Sequence, residues 1–241
     1  MRENVKLLVQ IVSETFETPD PILEVGSLQV PGQEGFADLR PFFKGKTYIG
    51  CDMRAGSGVD IAEDIENLGI RSGTIGTALI VDTLEHVGNP WKASEQVGRV
   101  LKRNGMVLMT STMNFPIHDY PGDFWRFTPG AFELLLRDFP VRISGYQGLP
   151  QNPHTVFCIG LKSKDTEDSD LSARFEEFCD CFSEEVAKTA KKESMKLRIF
   201  RRLANGRFPH LLNPIHSNDF KTVSITYLRN QQSMKTYTTR I

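Results

Sequence analysis

Apolar residues follow two different repeats along the first two thirds of the chain. Near the N-terminus they recur every three to four positions, so residues 5–16 predict an amphipathic helix that ends before Pro19 and Pro21. Further along, short runs are almost continuously apolar, which is typical of strands covered on both faces of a parallel sheet. The strong runs are residues 22–25, 47–51, 77–81 and 106–110, with a weaker one at 59–61.

Helical patterns separate the later runs. Asn89 is a suitable cap and Pro90 is typical of a first helical position, while Asn104 and Gly105 predict where that helix ends. A further helix is predicted over residues 128–138. The connection between the last two strands is too short for a crossover helix, so these strands should pair antiparallel. Alternation of strands and helices predicts an α/β domain with a largely parallel sheet. The last two strands are residues 141–146 and 155–161.

The last third of the chain has a different character. Residues 165–185 are rich in acids and residues 188–207 are rich in bases, while apolar positions keep a helical spacing through the join. This order suits the helix dipole, so we expect a solvated helix face rather than a polyanion-binding patch. A strand-like piece at 222–228 precedes a polar tail that we expect to fray. The predicted organisation is an α/β domain at 1–163 and a helical extension with a polar tail at 164–241.

The overall composition narrows the function classes. The 241 residues are 39% apolar and 24% charged, as in globular domains, and 29 basic against 30 acidic side chains give a net charge of −1. Because phosphate contacts need a basic excess, we expect no nucleic-acid partner. The four cysteines are too few for a disulfide scaffold. No secretory signal or membrane-length apolar run is present, so we expect a cytoplasmic protein with no membrane partner.

Candidate chemistry lies where the first two predicted strands end. Glu24 and Gly26 close the first strand at the sheet edge where α/β folds bind ligands, and a glycine there lets a ligand approach the backbone. Asp52 ends the second strand, where nucleotide-binding sheets place an acid that accepts hydrogen bonds from ribose hydroxyls. Each feature also has an ordinary structural explanation as a turn residue.

The ordered set of motifs resembles the class I S-adenosylmethionine-dependent methyltransferases, and most closely the type 11 group. The motifs are residues 24–27, Asp52, 59–68, 84–87, 95–105 and 118–128. The resemblance implies a Rossmann-like three-layer sandwich with a seven-stranded, mostly parallel sheet whose last strand is antiparallel. It also implies S-adenosylmethionine as the cofactor and methyl transfer (EC 2.1.1.-) to an oxygen or nitrogen of a small-molecule or saccharide-like acceptor.

The resemblance further assigns cofactor contacts to strand ends. Glu24 would lie near the methionine end, Asp52 would hold the ribose diol, and Asp64 would meet the adenine amine. Asp82 and Thr83 would line the pocket where the methyl group is presented. The full implied set is Glu24, Gly26, Ser27, Asp52, Asp64, Ile65, Asp82 and Thr83.

Two positions depart from the family pattern. Leu28 stands where a second glycine is expected, and Gly76 replaces the acid that usually leads into the fourth strand. Because of these departures, a second interpretation remains open: a catalytically inactive relative that acts as a binding or interaction module. A third interpretation, an NAD-type dinucleotide enzyme, lacks the G-x-G-x-x-G motif after the first strand.

Methyl transfer needs mainly alignment, because the sulfonium is already a strong electrophile. A general base can assist an oxygen or nitrogen nucleophile, and we expect His118 and Asp119, after the fifth strand, to be the catalytic pair. His86, in the Leu-Glu-His turn, is interpreted as structural. His118, Asp119 and Asp123 lack the spacing of a defined metal site, so no metal is predicted.

Overall fold

The structure is a computed structural model that describes residues 2–32, 34–118, 122–162, 168–203, 222–229 and 232–240. The helices in these ranges are α1 (Glu3–Thr15), α2 (Glu34–Ala37), α3 (Pro90–Val100), α4 (Pro129–Leu135) and α5 (Asp168–Leu203). The strands are β1 (Ile22–Val25), β2 (Tyr48–Asp52), β3 (Ile61–Ala62), β4 (Ile75–Val81), β5 (Leu101–Thr112), β6 (Val141–Leu149), β7 (Asn152–Leu161), β8 (Thr222–Arg229) and β9 (Gln232–Arg240).

All nine described strands form one sheet in the order β3-β2-β1-β4-β5-β7-β6-β8-β9. The pairings from β3 to β5 are parallel, and β7 lies antiparallel between β5 and β6. The antiparallel β7 and the mostly parallel sheet confirm the predicted α/β class. The order reverses between β1 and β4, and ligands of open α/β sheets bind at such a switch point.

Helices cover both faces of the sheet, which gives the predicted three layers. On one face α1 and α5 share a buried cluster with sheet residues. The apolar positions predicted at helical spacing are buried there, with Phe175, Phe178 and Phe182 at 2% exposure or less. On the other face α3 and α4 form a second cluster through residues such as Val97 and Phe132. Strands β1 and β4 are buried along their whole length because both faces are covered.

The predicted number of seven strands is wrong. β8 pairs antiparallel with β6, and β9 pairs antiparallel with β8. The strand-like piece at 222–228 therefore extends the sheet, and the polar tail expected to fray supplies β9. Alternate apolar residues of β8 face the core, since Val223, Ile225 and Tyr227 are at most 3% exposed. The division of the chain at residue 163 stays a prediction.

The end of α3 also differs from the prediction. Asn89 caps the helix by accepting from the Lys92 amide at 3.1 Å, as expected, but the helix ends at Val100 rather than near Gly105. β5 begins directly at Leu101, which pairs with Ile75. Within the described ranges, none of the helices combines the length and the apolar character that a membrane crossing requires.

Candidate functional site

Gly26 turns the chain at the end of β1 and brings three strand ends together. Its φ of +85° lies in the left-handed region, and its amide donates to the Cys51 carbonyl of β2 at 2.8 Å. A Cβ at Gly26 would overlap the Thr83 hydroxyl, which donates to the Val25 carbonyl at 3.1 Å. Only glycine fits this turn, because the backbone and the Thr83 side chain are in direct contact.

The loop that follows Gly26 packs against the loop that follows β2. The Gln29 amide donates to the Ser57 carbonyl at 2.9 Å, and the Leu28 side chain lies against Gly56 where a Cβ would overlap it. Leu28, the first departure from the family pattern, is thus accommodated by a glycine on the facing loop. Beneath it the Ser27 hydroxyl oxygen is buried and has no hydrogen-bond partner. That oxygen lies close to Gly50 of β2, where a Cβ would be 2.8 Å from it.

Asp52 ends β2, and Asp64 follows the end of β3 by two residues; the two strands pair in parallel, with Asp52 opposite Ala62. One oxygen of Asp52, Oδ1, accepts from the Arg54 amide at 2.9 Å and also faces the Arg54 guanidinium. Both polar contacts of this carboxylate with described residues use Oδ1, which leaves Oδ2 without a hydrogen bond among them. Asp64 caps the short turn at residues 65–67 by accepting from the Glu66 amide at 2.8 Å, and Ile65 beside it is buried.

Asp82 ends β4 with an unusual backbone conformation, since its φ of +46° is left-handed in a residue other than glycine. Its carboxylate faces two partners. Arg2 donates from Nη2 to Oδ1 at 3.0 Å and from Nε to Oδ2 at 3.2 Å, and the Thr110 hydroxyl donates to Oδ1 at 3.0 Å. Strained backbone of this kind is concentrated at functional sites. The two hydrogen bonds to Asp82 place the guanidinium of Arg2 at the sheet edge.

Glu24 is buried in the middle of β1 and is 5% exposed. Its Oε2 accepts a hydrogen bond of 2.7 Å from the Tyr48 hydroxyl. Burial raises the pKa of Glu24 to about 7, against the lowering effects of Tyr48 and Arg40. The same burial, together with the charge of Glu24, raises the pKa of Tyr48.

The loop after β5 folds back onto the turn after β4. The amides of Phe124 and Trp125 both donate to the Glu85 carbonyl, at 2.7 and 3.3 Å, and the Trp125 indole donates to the Val87 carbonyl at 2.8 Å. Asp123 anchors the loop from within: its side chain is 1% exposed and accepts two bonds from Arg126, at 2.5 and 2.7 Å. The hydrogen bonds from Arg126 hold the pKa of Asp123 well below its usual range.

His118 projects from this loop at the same sheet edge. Its backbone amide donates to Asp123 at 2.8 Å, and its ring Nδ1 lies 3.1 Å from the same carboxylate. The His118 ring also packs edge-on against His86, with ring centroids 4.8 Å apart. The predicted partner Asp119 lies outside the described residues, and Asp123 stands in the orienting position instead.

Glu85 is fully buried between the two loops. One of its oxygens, Oε2, accepts from the Ser111 hydroxyl at 2.9 Å, and the other, Oε1, has no partner. Burial raises the pKa of Glu85 to about 7, and the nearby charge of Asp82 adds to the increase.

Comparison with known proteins agrees with this geometry. Residues 43–109 match the family model described as a methyltransferase domain, a stretch that includes Asp52, Asp64, Asp82 and the turn at residues 84–86. This part of the chain is therefore similar to the methyltransferase domain of the type 11 group. No curated protein matches the sequence.

Solved structures share the fold of about two thirds of this chain. One is a SAM-dependent methyltransferase from Archaeoglobus fulgidus, 14% identical, with a TM-score of 0.52 over 67% of this chain and 95% of that one. Another is the 1,6-didemethyltoxoflavin-N1-methyltransferase of Burkholderia thailandensis with bound 1,6-didemethyltoxoflavin and S-adenosylhomocysteine. It is 15% identical, with a TM-score of 0.51 over 67% of this chain and 79% of that one.

The second departure from the family pattern, Gly76, has a packing explanation. A Cβ at Gly76 would overlap the carbonyl of Pro19 and lie 2.7 Å from that of Asp20. The Gly76 amide also donates to the Pro21 carbonyl at 2.9 Å. The segment that enters β1 therefore occupies the space that an acidic side chain would need.

Two residues at this sheet edge were not predicted from the sequence. Arg2 precedes the first helix and carries no motif, so no local signal connects it to Asp82. Glu85 lies in the noticed Leu-Glu-His turn, but its burial depends on contacts with Ser111 and with the later loop. The position of an acid after an apolar strand was the available signal, and it does not distinguish a buried carboxylate from an exposed one.

Proposed function

We propose that this protein is an S-adenosylmethionine-dependent methyltransferase that acts on an oxygen or nitrogen of a small-molecule or saccharide-like acceptor. The observation that carries the proposal is the meeting of three strand ends within and beside the family-matched region. The Gly26 turn, the Oδ2 oxygen of Asp52 and the Asp82–Thr83 corner lie at the switch point of the sheet.

The cofactor's parts are assigned along this edge. Asp52 accepts from the ribose hydroxyls through Oδ2, and the Asp64 carboxylate with the Ile65 backbone meets the adenine. The unpartnered Ser27 hydroxyl and the Gly26 turn border the methionine portion. Thr83 and Asp82 then border the methyl group. Glu24 is assigned near the methionine end, and its carboxylate accepts a hydrogen bond from Tyr48.

The cofactor supplies a methyl group on a positively charged sulfur. The acceptor atom forms a bond to the methyl carbon while the carbon–sulfur bond breaks and its electron pair stays on sulfur, giving S-adenosylhomocysteine. An acceptor hydroxyl or protonated nitrogen must also lose a proton. The protein contributes chiefly by aligning the acceptor with the methyl group and by excluding water.

His118 is the proposed proton acceptor. Its Nδ1 faces two acceptors, the Asp123 carboxylate at 3.1 Å and the Pro116 carbonyl at 3.2 Å, so Nδ1 carries the proton in the neutral ring. Nε2 is then the basic nitrogen, and Asp123 is a positioning residue for it. Asp119 belongs to the proposed catalytic pair on sequence grounds alone.

A small acceptor suits the loop after β5. This loop exposes large apolar side chains at the site, with Phe115 at 42%, Ile117 at 78% and Phe124 at 56% exposure. Such side chains are typical walls of small-molecule pockets. The Burkholderia methyltransferase holds a small molecule beside S-adenosylhomocysteine in the same fold.

The proposal includes a cytoplasmic location and no nucleic-acid partner. The four cysteines are free thiols, which fits a reducing compartment, and the net charge of −1 provides no general basic excess. Cell fractionation and a gel-shift assay with RNA and DNA test these two points.

Isothermal titration with S-adenosylmethionine and S-adenosylhomocysteine tests the central proposal. We expect one site per chain, and we expect Asp52→Ala to weaken binding at least about tenfold, because two ribose hydrogen bonds of about 1 kcal/mol each are lost. Asp170→Ala, on the exposed face of α5, is the matched control. The absence of binding by both ligands would refute the proposal, and unchanged affinity in Asp52→Ala would refute the ribose assignment.

A further inference from the structure

Three potential metal ligands converge where the turn after β4 meets the loop after β5. One ligand atom each from Glu85, His86 and His118 lies within 4.8 Å of the others. Ligand atoms in a tetrahedral site with bonds of about 2.1 Å are about 3.4 Å apart, so separations within the cluster need to shorten by up to about 1.4 Å to hold an ion. His118 is on a loop and half-buried, and its side chain can make that movement.

Glu85 gives a second, independent sign of a ligand. The residue is fully buried, and its Oε1 has no hydrogen-bond partner. A buried carboxylate oxygen without a partner is costly, because the protein interior solvates charge poorly. The cost is removed when a cation binds that oxygen.

The two histidines are oriented as metal ligands usually are. His86 Nδ1 lies 3.0 Å from the Gly122 carbonyl, and His118 Nδ1 lies near the Pro116 carbonyl and the Asp123 carboxylate. All these partners are acceptors, so each Nδ1 carries a proton and each neutral ring has its lone pair on Nε2. A bond from the other ring nitrogen to a carbonyl or carboxylate is the common outer contact of ligating histidines.

We propose that Glu85, His86 and His118 form a binding site for a divalent transition-metal ion. Two imidazoles and one carboxylate suit Zn²⁺, Co²⁺ or Fe²⁺ better than Mg²⁺ or Ca²⁺, which prefer oxygen ligands. Three protein ligands leave at least one coordination position open, as in catalytic rather than structural sites.

The use of the ion rests on the proposed function, whereas its binding does not. The site lies beside the corner where the methyl group is presented, so an acceptor hydroxyl can occupy the open position. The ion then lowers the pKa of that hydroxyl, and the proton passes to solvent. His118 Nε2 can act as a metal ligand or as the general base, but not as both at once. When the ion is bound, it takes over from His118 the role of promoting loss of the acceptor proton.

Titration of the metal-free, full-length chain tests the site, with any polyhistidine tag removed. Zn²⁺ binding is measured calorimetrically, and Co²⁺ is added as a probe because its visible spectrum distinguishes nitrogen and oxygen ligands from thiolates such as the exposed Cys181. We expect one ion per chain with a nitrogen–oxygen spectrum. Glu85→Gln, His86→Ala and His118→Ala should each weaken binding at least about tenfold.

His154→Ala is the matched control, since this histidine is outside the cluster. His118→Ala is the decisive variant because its half-exposed loop position makes it compatible with folding, which circular dichroism checks. Lack of Zn²⁺ and Co²⁺ binding by the wild type, or equal affinity in His118→Ala and wild type, overturns the inference. Binding of S-adenosylmethionine without metal leaves the proposed function intact, whereas metal binding without S-adenosylmethionine refutes the proposed function alone.

Discussion

The buried carboxyl group of Glu24 should make the stability of the protein depend on pH. Its pKa rises from 4.5 to about 7 chiefly because the side chain is buried. Between these two values the folded state binds a proton that the unfolded state has released. The free energy of unfolding therefore falls as pH rises from 4.5 to 7, and it stays reduced above pH 7.

Glu24→Gln removes the cost of ionising a buried carboxyl group without changing the shape of the side chain. The amide oxygen can still accept the hydrogen bond that Tyr48 donates at 2.7 Å. A pKa increase from 4.5 to about 7 corresponds to about 3 kcal/mol. We expect the free energy of unfolding of the variant to exceed that of the wild type by up to about 3 kcal/mol at pH 8. Near pH 4.5 the two values should be equal.

Urea denaturation of both proteins at pH 5 and pH 8 measures this difference. Glu17→Gln is the control, because its side chain is 82% exposed and loses a carboxylate without changing burial. An advantage of Glu24→Gln that is equal at the two pH values would contradict the reasoning, since only a titrating group gives a pH-dependent difference.

Three further substitutions test the backbone and the sheet edge. Gly26→Ala should lower the free energy of unfolding by at least about 2 kcal/mol, since it adds a left-handed alanine and an overlap with Thr83; urea denaturation should show partial rescue by Thr83→Ala. Gly98→Ala, with open space around the added methyl group on α3, should raise the thermal midpoint and add about 0.5–1 kcal/mol. Arg2→Ala should lower the free energy of unfolding, measured by urea denaturation, by about 1–2 kcal/mol, because Asp82 loses a two-point ion pair. An unchanged free energy of unfolding would mean that Arg2 does not stabilise the sheet edge.

The strands that are buried on both faces were predictable because they are continuous apolar runs. β1, β2 and β4 lie within two residues of their predicted positions at both ends. β9 was missed because a strand in a polar segment gains its stability from pairing with β8, and a local pattern does not contain that partner. α3 was predicted too long for a similar reason, since the pairing of Leu101 with Ile75 overrides helical spacing.

The candidate site shows the same division. Strand-end residues such as Asp52 and Asp82 were predictable, because parallel strands deliver their carboxyl ends to one edge. The partners of those residues were not predictable. Arg2, for example, precedes the first helix and lies 80 residues before Asp82 in the sequence. Asp123 is a similar case: its role depends on Arg126 and on the fold of a loop rather than on spacing.

Two carboxylates at the sheet edge, Asp82 and Glu85, differ in their polar partners. Asp82 faces Arg2, whereas Glu85, close enough for Asp82 to raise its pKa, has one oxygen without any partner. Arg2 forms an ion pair with Asp82, whereas Arg2 and Arg126 act on Glu85 only through space and form no ion pair with it among the described residues. Two histidines that direct their basic nitrogens away from their anchoring bonds stand next to that second acid. A proton on Glu85 would satisfy the carboxylate alone, whereas a metal ion would bind the carboxylate oxygen and both imidazole nitrogens at once.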